Sequence, residues 1–195
     1  MWRHTLVAIR LVLMTAVLLG LVYPLVVTGL AHVIFPRQAK GSLILAEGRV
    51  VGSELIGQQF SKPEYFHPRP SAAGNGYDPT ASGGSNLGPT SRALVKRTSA
   101  AVRQLTTENP GLKPGRIPAD MVTTSASGLD PDISPANAYA QVARVAKARH
   151  VSEDSIRRLV ASSVTDRQFG LLGEPRVNVL RLNLALDAAD GANSR

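Results

Sequence analysis

The chain has 195 residues, 22 Lys and Arg against 14 Asp and Glu for a formal net charge of +8, and no cysteine. The missing cysteine excludes disulfides, thiolate zinc sites and a cysteine nucleophile. The cations are scattered, aromatics are few and no recognition helix or OB signature occurs, so no nucleic acid is expected; membrane lipid or an acidic partner surface suits the charge better.

Residues 1–10 form a short leader with Arg3 and Arg10, followed by Leu11 to Phe35, LVLMTAVLLGLVYPLVVTGLAHVIF, without an Asp, Glu, Lys or Arg. A helix of that length reaches roughly 37 Å, enough to cross a ~30 Å hydrocarbon core. A cleaved signal peptide is the competing reading, since Gly29-Leu30-Ala31 is a passable small-x-small site, but the apolar run is too long for a secretory segment. One uncleaved transmembrane helix over 11–35 is therefore expected. Arg37, Lys40 and Arg49 nearly balance the cations ahead of the span. Because short leaders usually stay inside and long domains translocate largely regardless of charge, the N-terminus is expected in the cytoplasm and the rest outside it. Within the span, Ala16 and Gly20 form a small-x-x-x-small pair, and Thr28 adds a small residue. Tyr23 places a hydroxyl deep in hydrocarbon, where it favours a protein neighbour.

Residues 36–187 suffice for one domain. Ser42 to Gly52, SLILAEGRVVG, predicts a hairpin turning at Glu47-Gly48. Ser53 to Phe60 is open between a short helix and continued sheet. Pro63 to Thr90 is rich in Pro and Gly and has no periodicity, yet Tyr65, Phe66, Arg69, Tyr77 and Asn86 favour an ordered loop over a linker. Ser91 to Glu108 sets Leu94, Thr98, Ala101, Val102 and Leu105 on one helical face and Arg92, Lys96 and Arg103 on another, stopped by Asn109-Pro110-Gly111. Leu112 to Ala119 reads as loop and Asp120 to Thr124 as a brief β-prone run. Ser134 caps a second helix with Pro135 in its first turn, and Lys147 and Arg149 suit its negative end. Ser152 caps a third, with Ile156, Leu159, Val160 and Ser163 at helical spacing. Arg176 to Leu186, RVNVLRLNLAL, alternates Leu at 180, 182, 184 and 186 and predicts a strand buried on both faces. Residues 188–195 read as a flexible tail. Strands at both ends with helices between predict an α/β or α+β domain.

Catalytic motifs are missing: no phosphate-binding G-x-x-x-x-G-K-[ST], no G-x-S-x-G, no H-E-x-x-H and no S-x-x-K. No catalytic or metal-ligating residue is assigned. The Gly-rich Ser82, Gly83, Gly84, Ser85 and Asn86 are weak candidates for presenting backbone N–H groups to an anion; an ordinary turn is the plainer reading. His67, Ser71 and Asp78 are near enough in sequence to suggest a triad, though polar loop residues bonding their own backbone account for them as well. Asp120, Asp130 and Asp132 either gather a cation or, more plainly, cap and turn the chain ahead of the helix at Ser134.

Six stretches carry a family resemblance: Gly52 to Gln58 (GSELIGQ), Tyr65 to His67 (YFH) with Arg69 to Ala72 (RPSA), Ser82 to Pro89 (SGGSNLGP), Ser125 to Pro131 (SASGLDP), Gln141 to Ala146 (QVARVA) and Val177 to Leu180 (VNVL) with Leu182 to Leu184 (LNL). In this order, after one N-terminal span, the chain resembles the C subunit family of the Kdp potassium-transporting ATPase; residues after Asp187 fall outside the resemblance. The resemblance implies a non-catalytic accessory subunit of a bacterial inner-membrane potassium uptake complex, with a potassium-channel-like subunit and a P-type pump subunit as partners. It also implies a chaperone role raising the pump's affinity for ATP, with no cofactor bound by this chain alone and ATP engaged only together with the pump subunit. A single span without carboxylates builds no potassium filter, and no Asp-Lys-Thr-Gly phosphorylation loop is present, which agrees. The ATP role conflicts with a periplasmic domain, since ATP is cytoplasmic. Interface candidates are Ala16, Gly20, Tyr23 and Thr28 in the span and Tyr65, Phe66, Arg69, Ser125, Ser127, Gly128 and Asp130 in the domain. The alternative is a membrane-anchored or secreted hydrolase using the loop 63–90.

Overall fold

A computed structural model describes residues 1–46, 48–109 and 111–193, with side chains followed as far as Ala189. The chain divides into two compact units, Met1–Val51 and Gly52–Arg195.

The first unit is dominated by a continuous 33-residue helix, Trp2–Ile34, long and apolar enough to cross a membrane, with no buried share. It begins well ahead of the predicted start at Leu11 and ends one residue short of Phe35. It consists of α1 (Trp2–Val17), a π turn (Leu18–Val22) and α2 (Tyr23–Ile34). Pro24 explains the widened turn. Proline has no N–H to donate, and its ring collides with the carbonyl one turn earlier, that of Gly20. The helix takes up an extra residue there, and the Tyr23 N–H donates to the Leu18 carbonyl, five residues back. The polar side chains of the span turn inward on the backbone: Thr15 Oγ1 donates to the Leu11 carbonyl at 2.9 Å and His32 Nδ1 to that of Thr28 at 2.9 Å. After Phe35 come a single turn α3 (Pro36–Ala39) and the expected two-stranded hairpin, β1 (Leu43–Ala46) with β2 (Arg49–Ser53). Gly48 at φ +77° makes its turn, and Glu47 lies outside the described residues.

The second unit mixes helices with a three-stranded sheet. After a long loop, α4 (Arg92–Glu108) is the predicted amphipathic helix, half-buried along its Leu94, Ala101 and Leu105 face. The expected β-prone run at 120–124 is instead a 3-10 turn, Ala119–Met121, because Asp120 turns its carboxylate onto the start of the next helix. Strand β3 (Asp132–Ile133) leads into α5 (Pro135–Arg149), and α6 (Glu153–Ser163) follows. Both helices carry the predicted serine caps: Ser134 Oγ accepts from the Asn137 N–H at 3.1 Å and Ser152 Oγ from the Ser155 N–H at 3.3 Å.

The last segment corrects the sequence reading. Only Arg176–Asn178 is a strand (β5); it pairs antiparallel with β3 on one side and with β4 (Val164–Thr165) on the other. From Val179 the chain is helical through Asn193 as α7, whereas a strand was expected to Leu186 and a flexible tail from 188; Ser194 and Arg195 lie outside the described residues. Asn178 makes the switch, since its Oδ1 accepts from the Arg181 N–H at 3.1 Å, capping the helix as the strand ends. Along α7 the buried Val179, Leu182, Asn183 and Leu186 repeat at 3, 4 and 7, a helical stripe that the alternating leucines obscured.

Strand alternation gives the small sheet two unlike faces. Ile133, Val177 and Val164 line up across it and join Phe66, Val142, Val145, Val160 and Leu182 in the core. Asp132, Asn178, Thr165 and Arg176 occupy the other face.

Candidate functional site

The loop 63–90 is the predicted irregular segment, and it is ordered by side chains that reach it from distant helices. Asn183 on α7, 1% exposed, pairs with the backbone of Phe66 in both directions: the Phe66 N–H donates to Asn183 Oδ1 at 2.8 Å and Asn183 Nδ2 donates to the Phe66 carbonyl at 3.0 Å. Gln141 on α5 does the same for His67, accepting its N–H at 2.8 Å and donating to its carbonyl at 3.0 Å. Arg144, one turn on, donates to the Pro63 and Tyr65 carbonyls at 2.6 and 3.0 Å, to Asn109 Oδ1 at 3.1 Å and to Gln141 Oε1 at 2.5 Å. Burial pushes its guanidinium down to about 10, partly offset by Glu108, so it stays cationic at neutral pH. His67 Nε2 lies 3.0 Å from the Lys62 carbonyl, which requires a proton on that nitrogen; burial, then the neighbouring Arg144 charge, hold the imidazole below its ordinary value and keep it neutral.

The far half of the loop locks onto residues 124–130. Arg69 forms an ion pair with Asp130 at 2.9 Å, and the hydroxyl of Tyr77 donates to the Arg69 carbonyl. Ser71 Oγ donates to the Gly128 carbonyl at 2.6 Å and accepts the N–H groups of Ala73 and Tyr77 at 3.1 and 2.8 Å. Ser82 Oγ and the Gly83 N–H both donate to the Ser127 carbonyl, at 3.0 and 2.9 Å. Gly128 sits where the segments cross, at φ +68°; a Cβ there would come within 2.6 Å of Ala73 N and 2.7 Å of Gly83 O.

An open depression of about 610 Å³ lies over this junction, lined by Leu55, Ile56, Arg69, Ser125, Ser127, Leu129 and Asp130 among others. It brings together four of the candidates named from sequence: Arg69, Ser125, Ser127 and Asp130. Next to it the polar face of the sheet forms a second cleft of about 550 Å³ containing Glu54, Asp132, Arg176 and Arg181, with ion pairs Arg176–Asp132 at 3.1 Å and Arg181–Glu54 at 2.7 Å. Burial and the nearby Asp130 raise the Asp132 carboxyl above its ordinary range, against the pull of Arg176.

The remaining candidates fall elsewhere. Of the interface candidates, Phe66 is fully buried in the core, so it anchors the loop from within and offers no surface to a partner. Tyr65 stays on the surface of the anchor, where Arg149 lies 4.9 Å over its ring and its hydroxyl meets Asp187 at 3.2 Å. Gly128 is buried and shapes the junction from beneath. Ser82 and Asn86 are exposed, while Gly83, Gly84 and Ser85 are half-buried; Ser85 Oγ accepts from Arg97 and Thr124, each at 3.3 Å. Ala16, Gly20, Tyr23 and Thr28 all lie exposed on the long helix.

His67, Ser71 and Asp78 do not converge as a triad: His67 bonds Lys62, Ser71 bonds Gly128, and Asp78 accepts from Thr80 at 2.7 and 2.8 Å. Asp120 and Asp130 cap and turn the chain, Asp120 by accepting from Ser134 and Asn137 at 2.8 to 3.1 Å and Asp130 from the Asp132 N–H at 3.0 Å. Among the described residues no group of three His, Cys, Asp or Glu is placed to hold a metal ion.

Sequence reasoning missed Asn183, Gln141 and Arg144, which hold the loop. A signal was present on α5: Asn137, Gln141 and Arg144 repeat at 4 and 3 along the face shared with Val142 and Val145, so three polar groups enter the interior together.

Residues 5–188 match a family model described as KdpC: K+-transporting ATPase, c chain. Similar proteins called potassium-transporting ATPase KdpC subunit occur in Acidobacterium capsulatum, 57% identical over 95% of this chain and 98% of the relative, and in Koribacter versatilis, 57% identical over 96% and 95%. One from Caulobacter vibrioides is 60% identical over 88% of this chain and 86% of its own length.

Proposed function

The chain belongs to the KdpC family, and from that membership we propose that it is a non-catalytic accessory subunit of an ATP-driven potassium uptake complex, held in the bacterial inner membrane by Trp2–Ile34. The match over residues 5–188 carries the reading. The N-terminus lies in the cytoplasm and the α/β unit outside it, where the depression around Arg69, Ser125, Ser127 and Asp130 meets the potassium-channel-like and P-type pump subunits. Two observations support a docking rather than a chemical role. The residues that suggested a triad are each engaged separately by their own chain. The Gly-rich loop directs Ser82 Oγ and Gly83 N–H to Ser127, so two donors that an anion would need serve the fold. The effect on ATP affinity implied for this family is accordingly exerted through subunit contacts, with nucleotide held by the pump subunit.

The test is a tagged full-length chain solubilised in mild detergent. It should bring down the other Kdp subunits, and deleting it should abolish growth at low external potassium. A chain that purifies alone, from cells whose uptake survives the deletion, would refute the reading. Protease applied to intact spheroplasts should trim residues beyond 36; full protection would reverse the orientation.

A further inference from the structure

The connection between β4 and β5, Asp166–Pro175, forms a finger whose chemistry the docking depression does not use. Gln168 and Leu172 close it through reciprocal backbone bonds of 2.8 and 2.9 Å, and Arg167 clamps its neck to Glu174 at 2.7 Å. At its tip Phe169 is 87% exposed, Leu171 81% and Leu172 60%, none of them part of the core. Together they present roughly 400 Å² of apolar surface, the size of the largest patch on a typical monomer, which is often functional. Phe169 also takes a left-handed conformation, φ +55°, beside Gly170 at +75°. A bulky residue is disfavoured there. The tip thus holds an aromatic side chain in water, in a backbone conformation glycine would adopt more readily.

We propose that this finger is a docking plug, its Phe169 and Leu171 side chains inserting into an apolar pocket on another protein subunit of the same potassium uptake complex. The proposal rests on the family reading above and adds a second contact to it. Charge selects a protein pocket over lipid. Loops that insert into membranes add unpaired cations that attract anionic headgroups. Here the two cations at the neck are matched by carboxylates, Arg167 by Glu174 at 2.7 Å and Arg176 by Asp132 at 3.1 Å, and Asp166 adds a further negative charge. A neck without spare positive charge beneath an apolar tip closed by its own backbone bonds suits a preformed protein cavity, where a central aromatic anchor carries much of the binding energy.

The experiment uses the assembled complex in its membrane. A photo-reactive benzoylphenylalanine at position 169 of the full-length chain should crosslink to another Kdp subunit on irradiation; adducts with lipid alone or with a second copy of this chain would overturn the proposal. In parallel, Phe169→Gly relieves the backbone strain while deleting the anchor. It should unfold at the same or a higher temperature than the wild type and yet recover the partner subunits at least about tenfold less efficiently in pull-downs, as expected for loss of a hot-spot aromatic. Undiminished recovery would refute the plug. The wild-type pull-down separates the two readings: if it yields no Kdp subunit the family-based function fails, and if it does while the variant matches it only the finger proposal fails.

Discussion

Asn183→Ala tests whether the loop 63–90 is built from α7. The side chain is 1% exposed and is the hydrogen-bond partner of both polar groups of the Phe66 peptide, at 2.8 and 3.0 Å, while the Phe66 ring is fully buried. Removing it leaves a buried N–H and a buried carbonyl without these partners, each costing about 1 to 3 kcal/mol. The alanine also leaves a small void among Phe66 and its neighbours. The expected destabilisation is about 3 to 5 kcal/mol, which for a domain of this size lowers the melting temperature by roughly 10 °C. The assay is calorimetry of the full chain in detergent, together with hydrogen exchange at the Phe66 amide, which should lose most of its protection. Asn183→Leu restores volume but not the bonds, so it should recover little of the loss. A melting temperature within about 2 °C of wild type, with Phe66 exchange unchanged, would refute the account. Because the same segment continues into Arg69 and its ion pair with Asp130, recovery of partner subunits should fall with stability while membrane insertion does not.

Three further outcomes follow from particular geometries. Gly128→Ala puts a Cβ within 2.6 to 2.8 Å of Ala73 and Gly83 at φ +68°; it should cost roughly 2 to 4 kcal/mol and raise protease cleavage between residues 71 and 90, and wild-type resistance would count against the crossing of segments described here. His67 is held below its ordinary value of about 6.5 by burial and then by Arg144. A depressed histidine means the unfolded chain takes up the proton first, so its contribution to stability is complete above the unfolded value and is lost as pH falls through that value toward the folded one. The melting temperature should drop between pH 7.5 and 5 less steeply in His67→Gln than in wild type; equal slopes would remove His67 from the acid response. In the span, Gly20→Phe should loosen the complex, because Gly20 sits in the π turn with open space around its Cα, whereas Val17→Phe should not; equal effects would reduce the helix to a tether.

The sequence made the local elements legible where one signal dominated. Ser134-Pro135 and Ser152 placed two helix starts to the residue, and both caps are made. The long apolar run announced the span, although the helix continues upstream through Arg3 and Arg10 because nothing in Trp2 to Arg10 breaks it. The 176–186 segment was misread where two periods coexist: Leu180, 182, 184 and 186 alternate, while Val179, Leu182, Asn183 and Leu186 keep the helical repeat. Asn178 resolves the conflict by capping, and a polar residue amid a β-branched run is a local signal for that.

The site itself was only half legible, for a physical reason that bears on how it works. Its candidate residues lie in short stretches legible along the chain, but what brings Arg69, Ser125, Ser127 and Asp130 to one depression is a set of bonds between residues 45 to 117 positions apart, from Ser82 to Ser127 and from Phe66 to Asn183. No periodicity encodes such pairs, since each joins a side chain or peptide group to a backbone whose position only the assembled core defines. Loops usually stand apart from the core and carry function through mobility. Here Asn183, Gln141 and Arg144 extend the core's polar bonding into the start of the loop, and the Ser71–Gly128 and Ser82–Ser127 bonds carry it on to the segments around the depression. A surface prepared in this way binds a partner without the entropy cost of ordering a segment on contact, and Arg144, cationic yet satisfied by Asn109, Gln141 and two carbonyls, is the residue on which that preparation most depends.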